Sequence, residues 1–147
     1  MGCRGNIEII QPKLEVDSGE VSIFLYTHWG GETVCQDLAQ ALDDGRSRWS
    51  DPDYLTRIIF NQLQGDNRDL TGFGIGIHPA GDAEFPVPAL YWTTREGRFG
   101  QEPTEEPLVM YEDDILTADE FIDRFLPPAV QVIDHVTEPT LEIKELL

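Results

Sequence analysis

The stretch that decides the fold is IFLYTHWGGET, residues 23–33. It begins inside a run of alternating β-forming residues, passes through His28 and Trp29, turns at Gly30 and Gly31, and leads into a helical apolar pattern. Alternating apolar and aromatic residues are typical of strands, and adjacent glycines interrupt them. The stretch therefore predicts a strand, a turn and the start of a helix in quick succession.

Two helices are predicted directly after this turn. Thr33 and Gln36 have the spacing of a capping box at the start of the first helix, and Gly45 is predicted to end it. The second helix is predicted to begin with Asp51 as N-cap before Pro52. The predicted buried stripes are Val34, Leu38, Ala41 and Leu42 in the first helix and Tyr54, Leu55, Ile58, Ile59 and Leu63 in the second.

Strands are predicted on both sides of this helix pair. A first strand at residues 7–10 should pair with the strand of the opening stretch, and further strand patterns occur at 72–77, 89–94 and 108–111. The glycines of 72–77 alternate with apolar residues, which predicts a face that a helix, another backbone or a ligand can approach closely. Thr117 and Glu120 predict a capping box for a short third helix. The order of elements predicts an α+β fold with a mostly antiparallel sheet of about five strands, two consecutive helices packed on it and a short third helix near the C-terminus.

The chain length suits one domain. Its 147 residues can bury a core but are too few for two domains of ordinary size. We predict a single domain at residues 1–128, followed by an acidic arm or an extra strand at 129–147.

The charge is strongly negative and unevenly distributed. The formal net charge is −18, from 28 acidic and 10 basic residues. Residues 1–73 carry 12 acids and 6 bases, whereas residues 74–147 carry 16 acids and 4 bases. Binding to nucleic-acid phosphates needs clustered Lys and Arg, so this composition argues against a direct nucleic-acid complex and against contact with anionic membranes. The acidity suits either a high-salt environment or a basic partner.

The cysteines indicate a reduced setting. Cys3 and Cys35 are too few for a disulfide framework, and the sequence has neither a signal-peptide pattern nor a run of 18 apolar residues. Cys35 falls among apolar helix positions, which favours a packed side chain over a reactive thiol. These features predict a cytoplasmic protein.

Four short stretches carry a resemblance to known proteins. They are a Gly-x-Arg opening with Gly2 and Arg4, LYTHWGG at 25–31, RWSDPDYLTRIIF at 48–60, and TGFGI at 71–75. Together they resemble a group of small proteins encoded by phages and prophages. The resemblance implies a phage setting, and it implies no particular reaction or ligand.

The turn of the opening stretch is a candidate anion site. A strand that runs through two glycines into a helix presents free backbone N–H groups at a positive helix end. The predicted ligand on this reading is a nucleotide or another anion, although no P-loop or dinucleotide fingerprint is present. The candidate residues are His28, Trp29, Gly30, Gly31 and Thr33, with Arg46, Arg48 and Arg57 as the source of guanidinium groups.

Catalysis and metal binding have little support in the sequence. His28, His78 and His135 lie outside the spacings that zinc sites use, and Cys35 is predicted to be packed. We predict no cofactor and no metal, and we favour a non-enzymatic protein.

The acidic residues of the second half are the leading candidate for a partner-binding surface. Carboxylates can imitate a phosphate track and occupy a basic channel, with Tyr91, Trp92, Phe99 and Tyr111 as candidate aromatic anchors. The predicted partner is a basic host protein, including one that normally holds nucleic acid. The candidate residues are Glu102, Glu105, Glu106, Glu112, Asp113, Asp114, Asp119, Glu120 and Asp123.

Overall fold

The computed structural model describes residues 3–10, 22–66, 71–79, 85–92 and 106–126. The strands are β1 (Gly5–Ile10), β2 (Ser22–Thr27), β3 (Phe73–Gly76), β4 (Ala89–Tyr91), β5 (Leu108–Tyr111) and β6 (Asp114–Thr117). The helices are α1 (Val34–Asp44), α2 (Pro52–Gln64) and α3 (Ala118–Phe125). The predicted α+β class is confirmed. The predicted arm at 129–147 lies outside the described residues.

The six strands form one mixed sheet in the order β3-β2-β1-β4-β5-β6. β1 and β2 pair with each other, as the sequence predicts, and the structure makes the pair antiparallel with Ile7 opposite Leu25. β1 and β4 pair in parallel, with Ile9 opposite Leu90, so the sheet has one parallel pair among antiparallel neighbours. β6 is the strand that the sequence did not predict, because its four residues are too few to show a clear alternation.

The three helices cover one face of the sheet. α1 packs on β1 between the other two helices, α2 contacts β2, and α3 contacts β5 and β6. The apolar stripe of each helix faces strand residues that share one side of the pleat, because paired residues on adjacent strands point the same way. The fully buried side chains of this core include Ile7, Ile9, Leu25, Leu38, Leu42, Leu55, Ile59, Leu90, Val109 and Phe121.

The helix ends mostly follow the sequence signals. The Asp51 side chain accepts a hydrogen bond from the Tyr54 backbone N–H, and Thr117 forms both bonds of a capping box with Glu120.

The predicted buried stripe of α2 is wrong at Tyr54, because the Tyr54 side chain is exposed. The Arg48 guanidinium lies 4.3 Å from the Tyr54 ring centroid, so the ring packs under a surface arginine instead of in the core.

Two tryptophans join the end of α1 to β4. The Trp49 Nε1–H donates to the Leu42 carbonyl at 2.9 Å, and the Trp92 Nε1–H donates to the Trp49 carbonyl at 2.7 Å. Tyr91 points to the opposite sheet face, where it is fully buried with Ile10. Tyr91 and Trp92 are therefore core residues, which overturns their prediction as interface anchors.

Phe121 anchors α3, and its truncation should destabilise the whole domain. The ring is fully buried, and its centroid lies 4.7 Å from that of Phe125. We expect Phe121→Ala to lower the free energy of unfolding by about 3–5 kcal/mol, since it removes buried apolar area and leaves a cavity. The control is Ile115→Ala at an exposed position of β6, which should change stability by less than about 0.5 kcal/mol. Equal effects in urea unfolding would contradict the assigned core.

Candidate functional site

The two-glycine turn after β2 is built around a close backbone contact with β1. Gly31 opens a single 3-10 turn, Gly31–Thr33, immediately before α1. A methyl group on Gly31 would lie 2.5 Å from the Cys3 carbonyl oxygen, and one on Gly5 would lie 2.7 Å from the Gly31 Cα. Side chains at these two positions would therefore push the turn away from the start of β1.

The turn uses its own hydrogen-bond donors. The Gly31 N–H donates to the Cys3 carbonyl at 2.6 Å, the Gly30 N–H donates to the Thr27 hydroxyl at 3.1 Å, and the Thr33 N–H donates to the Gly30 carbonyl at 3.1 Å. These are the N–H groups that the anion hypothesis required to be free. The predicted capping box at Thr33 is also wrong, because the Thr33 side chain caps no α1 N–H and its hydroxyl instead donates to the Gly30 carbonyl.

The candidate arginines lie away from this turn. Arg46 and Arg48 follow the C-terminal end of α1, whereas the turn precedes its N-terminal end, and eleven helical residues separate them by about 16 Å. Arg46 pairs with Asp43 and Asp119, and Arg48 lies over Tyr54. Arg57 also lies near Tyr54, with 5.6 Å from its guanidinium carbon to the ring centroid. The structure therefore does not gather these guanidinium groups around His28.

A small cleft does lie beside the turn, toward the edge of the sheet. It has a volume of about 230 Å³ and is lined by Tyr26, His28, Trp29, Thr71 and Gly72. The His28 and Trp29 rings are nearly perpendicular, at 85°, with their centroids 5.0 Å apart. The Tyr26 hydroxyl and the His28 Nδ1 are 2.7 Å apart and share a hydrogen bond. His28 and Trp29 were predicted candidates, and Tyr26 was not, because a tyrosine within a strand pattern gives no sign of lining a cleft.

Thr71 and Gly72, the two residues before the glycine-rich strand β3, line the side of the cleft behind Trp29. Gly72 adopts φ 91°, and a methyl group there would overlap the Trp29 ring, so the glycine lets the indole lie directly on the backbone. The predicted close approach therefore occurs at Gly72, and it involves a side chain instead of a helix. On the same sheet face, Gly74 is paired with Tyr26 across the strands, and the tyrosine ring lies beside the position that a Cβ would occupy.

Cys35 is a packed residue, as the sequence predicts. It is buried and forms a hydrogen bond with Tyr111. Burial raises the pKa of the Cys35 thiol, and burial together with this hydrogen bond raises the pKa of Tyr111 to about 12. A thiol that is harder to ionise is a poorer nucleophile. Within the described ranges, no group of three or more His, Cys, Asp or Glu residues has a geometry that could hold a metal ion.

Asp37 is a titrating residue that sequence reasoning missed. It lies in the first turn of α1, its Oδ2 lies 3.5 Å from the Thr33 hydroxyl, and its side chain is hydrogen-bonded to Gln62 of α2. Burial between the two helices raises its pKa to about 6, against hydrogen bonds that act in the opposite direction. The sequence pattern did not single out Asp37, because it could not show that Gln62 of α2 lies beside it.

Six of the nine acidic candidates of the second half lie at the far edge of the sheet. Asp114 pairs with Arg124 at 3.0 Å, and Asp119 pairs with Arg46 at 2.8 Å, so two of the carboxylates are tied to arginines. Glu102 and Glu105 lie outside the described residues, and Glu106 is exposed before β5. We use the term acidic face for the six exposed carboxylates of the β5–β6 turn, β6 and α3: Glu112, Asp113, Asp114, Asp119, Glu120 and Asp123.

Comparison of the chain with protein-family models, curated proteins and solved structures finds no match. None of the described helices has the length and apolar character needed to cross a membrane.

The steric role of Gly31 can be separated from that of its neighbour. Gly31→Ala places a methyl group against backbone atoms of Cys3 and Arg4, and we expect it to cost about 2–3 kcal/mol of unfolding free energy. Gly30→Ala is the matched control, because the three atoms nearest to its methyl group belong to the Thr27 and Thr33 side chains, the closest at 3.2 Å. Chemical denaturation of both variants measures the difference. Equal destabilisation would contradict the close contact between Gly31 and β1.

The pKa of Asp37 makes a sign-specific prediction about pH. A raised pKa in the folded state means that the protonated carboxyl favours folding, an effect present below about pH 3.8 and lost as the pH rises through about 6. We therefore expect Asp37→Asn to be more stable than the wild type at pH 7, with an advantage that shrinks as the pH falls to 4. Thermal melting across this range measures it. A constant difference between the two proteins would show that Asp37 does not titrate in this window.

Proposed function

We propose that this protein is a non-enzymatic accessory protein of a phage or prophage that acts in the cytoplasm by binding a basic surface of a host protein, including a surface that normally holds nucleic acid. The observation that carries the proposal is the acidic face. Residues that are up to eleven positions apart in the sequence lie together on one exposed edge, formed by the β5–β6 turn and the helix that follows β6.

The geometry of this edge supports a protein partner. α3 follows β6 without a loop, and the Asp114–Arg124 pair joins the first residue of β6 to the last turn of α3. Asp119, Glu120 and Asp123 are spaced so that they share one side of α3. Four of the six carboxylates therefore lie on β6 and α3, two regular elements that follow each other directly, and this arrangement favours complementarity to a particular basic surface.

The charge of the face is only partly neutralised within the chain. Arg46 and Arg124 each contact one of its carboxylates, and both pairs are exposed, so they contribute little to stability and remain open to exchange with a partner's cations. Glu112 and Asp113 project at a two-residue turn between β5 and β6, where Glu112 has φ 54°. Both residues are exposed at the end of the β5–β6 hairpin.

A charge-reversal triple tests the proposal without breaking the fold. Glu112→Lys, Asp113→Lys and Asp123→Lys change exposed carboxylates that form no described ion pair, and they spare Asp114, Asp119 and the capping residue Glu120. The matched control is Glu32→Lys, Asp44→Lys and Asp66→Lys, which makes the same change in net charge at exposed sites elsewhere.

Tagged wild-type protein is used to capture partners from a bacterial host lysate. Each captured protein is then purified, and its affinity for the wild type and for both triple variants is measured at two salt concentrations. We expect the acidic-face triple to weaken the complex at least about tenfold and the control triple to change it much less, because a specific interface depends on where the charges lie. Duplex DNA should compete if the partner surface holds nucleic acid. Equal loss of affinity in both triples, or full retention in the acidic-face triple, would refute the proposal.

A further inference from the structure

We infer that the cleft of Tyr26, His28 and Trp29 binds a single cationic group, the alkylated ammonium or guanidinium end of a side chain on a basic partner. The inference rests on the proposed function only in assigning that cation to a partner protein. The cleft and its aromatic walls are independent of the acidic face.

The walls of the cleft have the chemistry that cations prefer. Aromatic faces carry partial negative charge, and a cation within about 6 Å of a ring centroid is attracted to it, most strongly by tryptophan. The His28 and Trp29 rings meet almost at right angles, at 85°, and the Tyr26 ring is inclined at 66° to His28. Rings at such angles form a corner in which one cation can contact more than one aromatic side chain.

Two other aromatic rings of this protein already contact cations. The Arg46 guanidinium lies 5.1 Å from the Trp49 ring centroid, and that of Arg48 lies 4.3 Å from the Tyr54 centroid. The rings of the cleft instead contact one another, through the His28–Trp29 edge contact and the bond from Tyr26 to His28. Among the described residues that line the cleft, none is Arg or Lys.

The size of the cleft argues against a whole nucleotide. Pockets for small molecules usually have about 300–1,000 Å³, whereas this cleft has about 230 Å³. An anion is also disfavoured, because the N–H groups of Gly30 and Gly31 already donate within the protein and Arg46 and Arg48 lie beyond the other end of α1. With a net charge of −18, the chain as a whole attracts cations to its surface.

The Trp29 indole can report binding directly in an NMR experiment. Its side chain is 51% exposed, whereas those of Trp49 and Trp92 are 8% and 3% exposed. The chain has only these three tryptophans, so a two-dimensional NMR spectrum shows three indole N–H signals, of which the Trp29 signal is the one removed by Trp29→Leu. The buried pair then serves as an internal control for folding.

The test titrates choline against its neutral isostere 3,3-dimethyl-1-butanol, with inorganic phosphate as the anion. We expect choline to shift the Trp29 signal with a dissociation constant on the order of 1 mM while leaving the Trp49 and Trp92 signals in place. The neutral isostere should bind at least about fivefold more weakly, because it lacks the charge that the rings attract. Phosphate should cause no shift at Trp29.

Variants separate the aromatic walls from general surface effects. Choline binding in Trp29→Leu, followed on the Tyr26 and His28 signals, should weaken at least about tenfold, and Trp29→Phe should recover part of the affinity because it restores an aromatic face. The matched control is Tyr54→Leu, which removes another exposed aromatic ring, one that Arg48 and Arg57 already cover, and it should leave choline affinity unchanged.

Two further probes identify which cation the cleft prefers. The probes are two capped amino acids: N-acetyl-trimethyllysine amide presents the ammonium end, and N-acetyl-arginine amide presents the guanidinium end. The probe that binds the cleft more tightly identifies the type of partner side chain. Absence of choline binding, equal binding of the neutral isostere, or a shift with phosphate alone would overturn the inference. None of these outcomes depends on the acidic-face triple, so failure of the cleft and failure of the proposed function are distinguishable.

Discussion

The fold depends on one backbone contact, where Gly31 at the start of the first helical turn lies directly against residues 3–5, at the beginning of β1. Neither Gly31 nor Gly5 could carry a side chain without separating the two segments, and the Gly31 N–H closes the contact through a hydrogen bond to Cys3. This contact fixes where α1 begins relative to the sheet. Since α1 lies between α2 and α3 and packs on β1, the position of the whole helix layer follows from it.

The contact at Gly31 also determines which backbone N–H groups of residues 23–33 are available to a ligand. A strand followed by two glycines and a helix has free N–H groups only if nothing inside the protein accepts their hydrogen bonds. Here Cys3 and Thr27 supply the acceptors, so the donors that would hold an anion instead hold the turn against β1 and β2. The space beside the turn opens toward the edge of the sheet, where Trp29 lies on the bare backbone of Gly72 and aromatic rings replace N–H groups as the lining.

The two surfaces considered for function lie at opposite edges of one sheet. The aromatic cleft adjoins β2 and β3, and the acidic face is formed by β6, its preceding turn and α3. Five strand spacings separate β3 from β6, a distance of about 24 Å. A rigid sheet keeps these surfaces apart, so a single partner that used both would need an extended contact, whereas separate cations could occupy each independently. The excess of carboxylates on this chain favours positively charged ligands at either edge.

Local sequence determined the elements whose signals are complete within a few residues. The N-cap Asp51, the capping box of Thr117 and Glu120, and the end of α1 at Gly45 all depend on groups within one helical turn, so they could be read directly. Tertiary structure alone decided that Thr33 caps nothing, that β4 joins β1 in parallel, and that Asp37 meets α2. It also decided that the N–H groups of Gly30 and Gly31 donate hydrogen bonds within the protein. These outcomes depend on hydrogen-bond acceptors and side chains from distant segments. The local sequence does not show which distant residues will lie nearby in the folded chain.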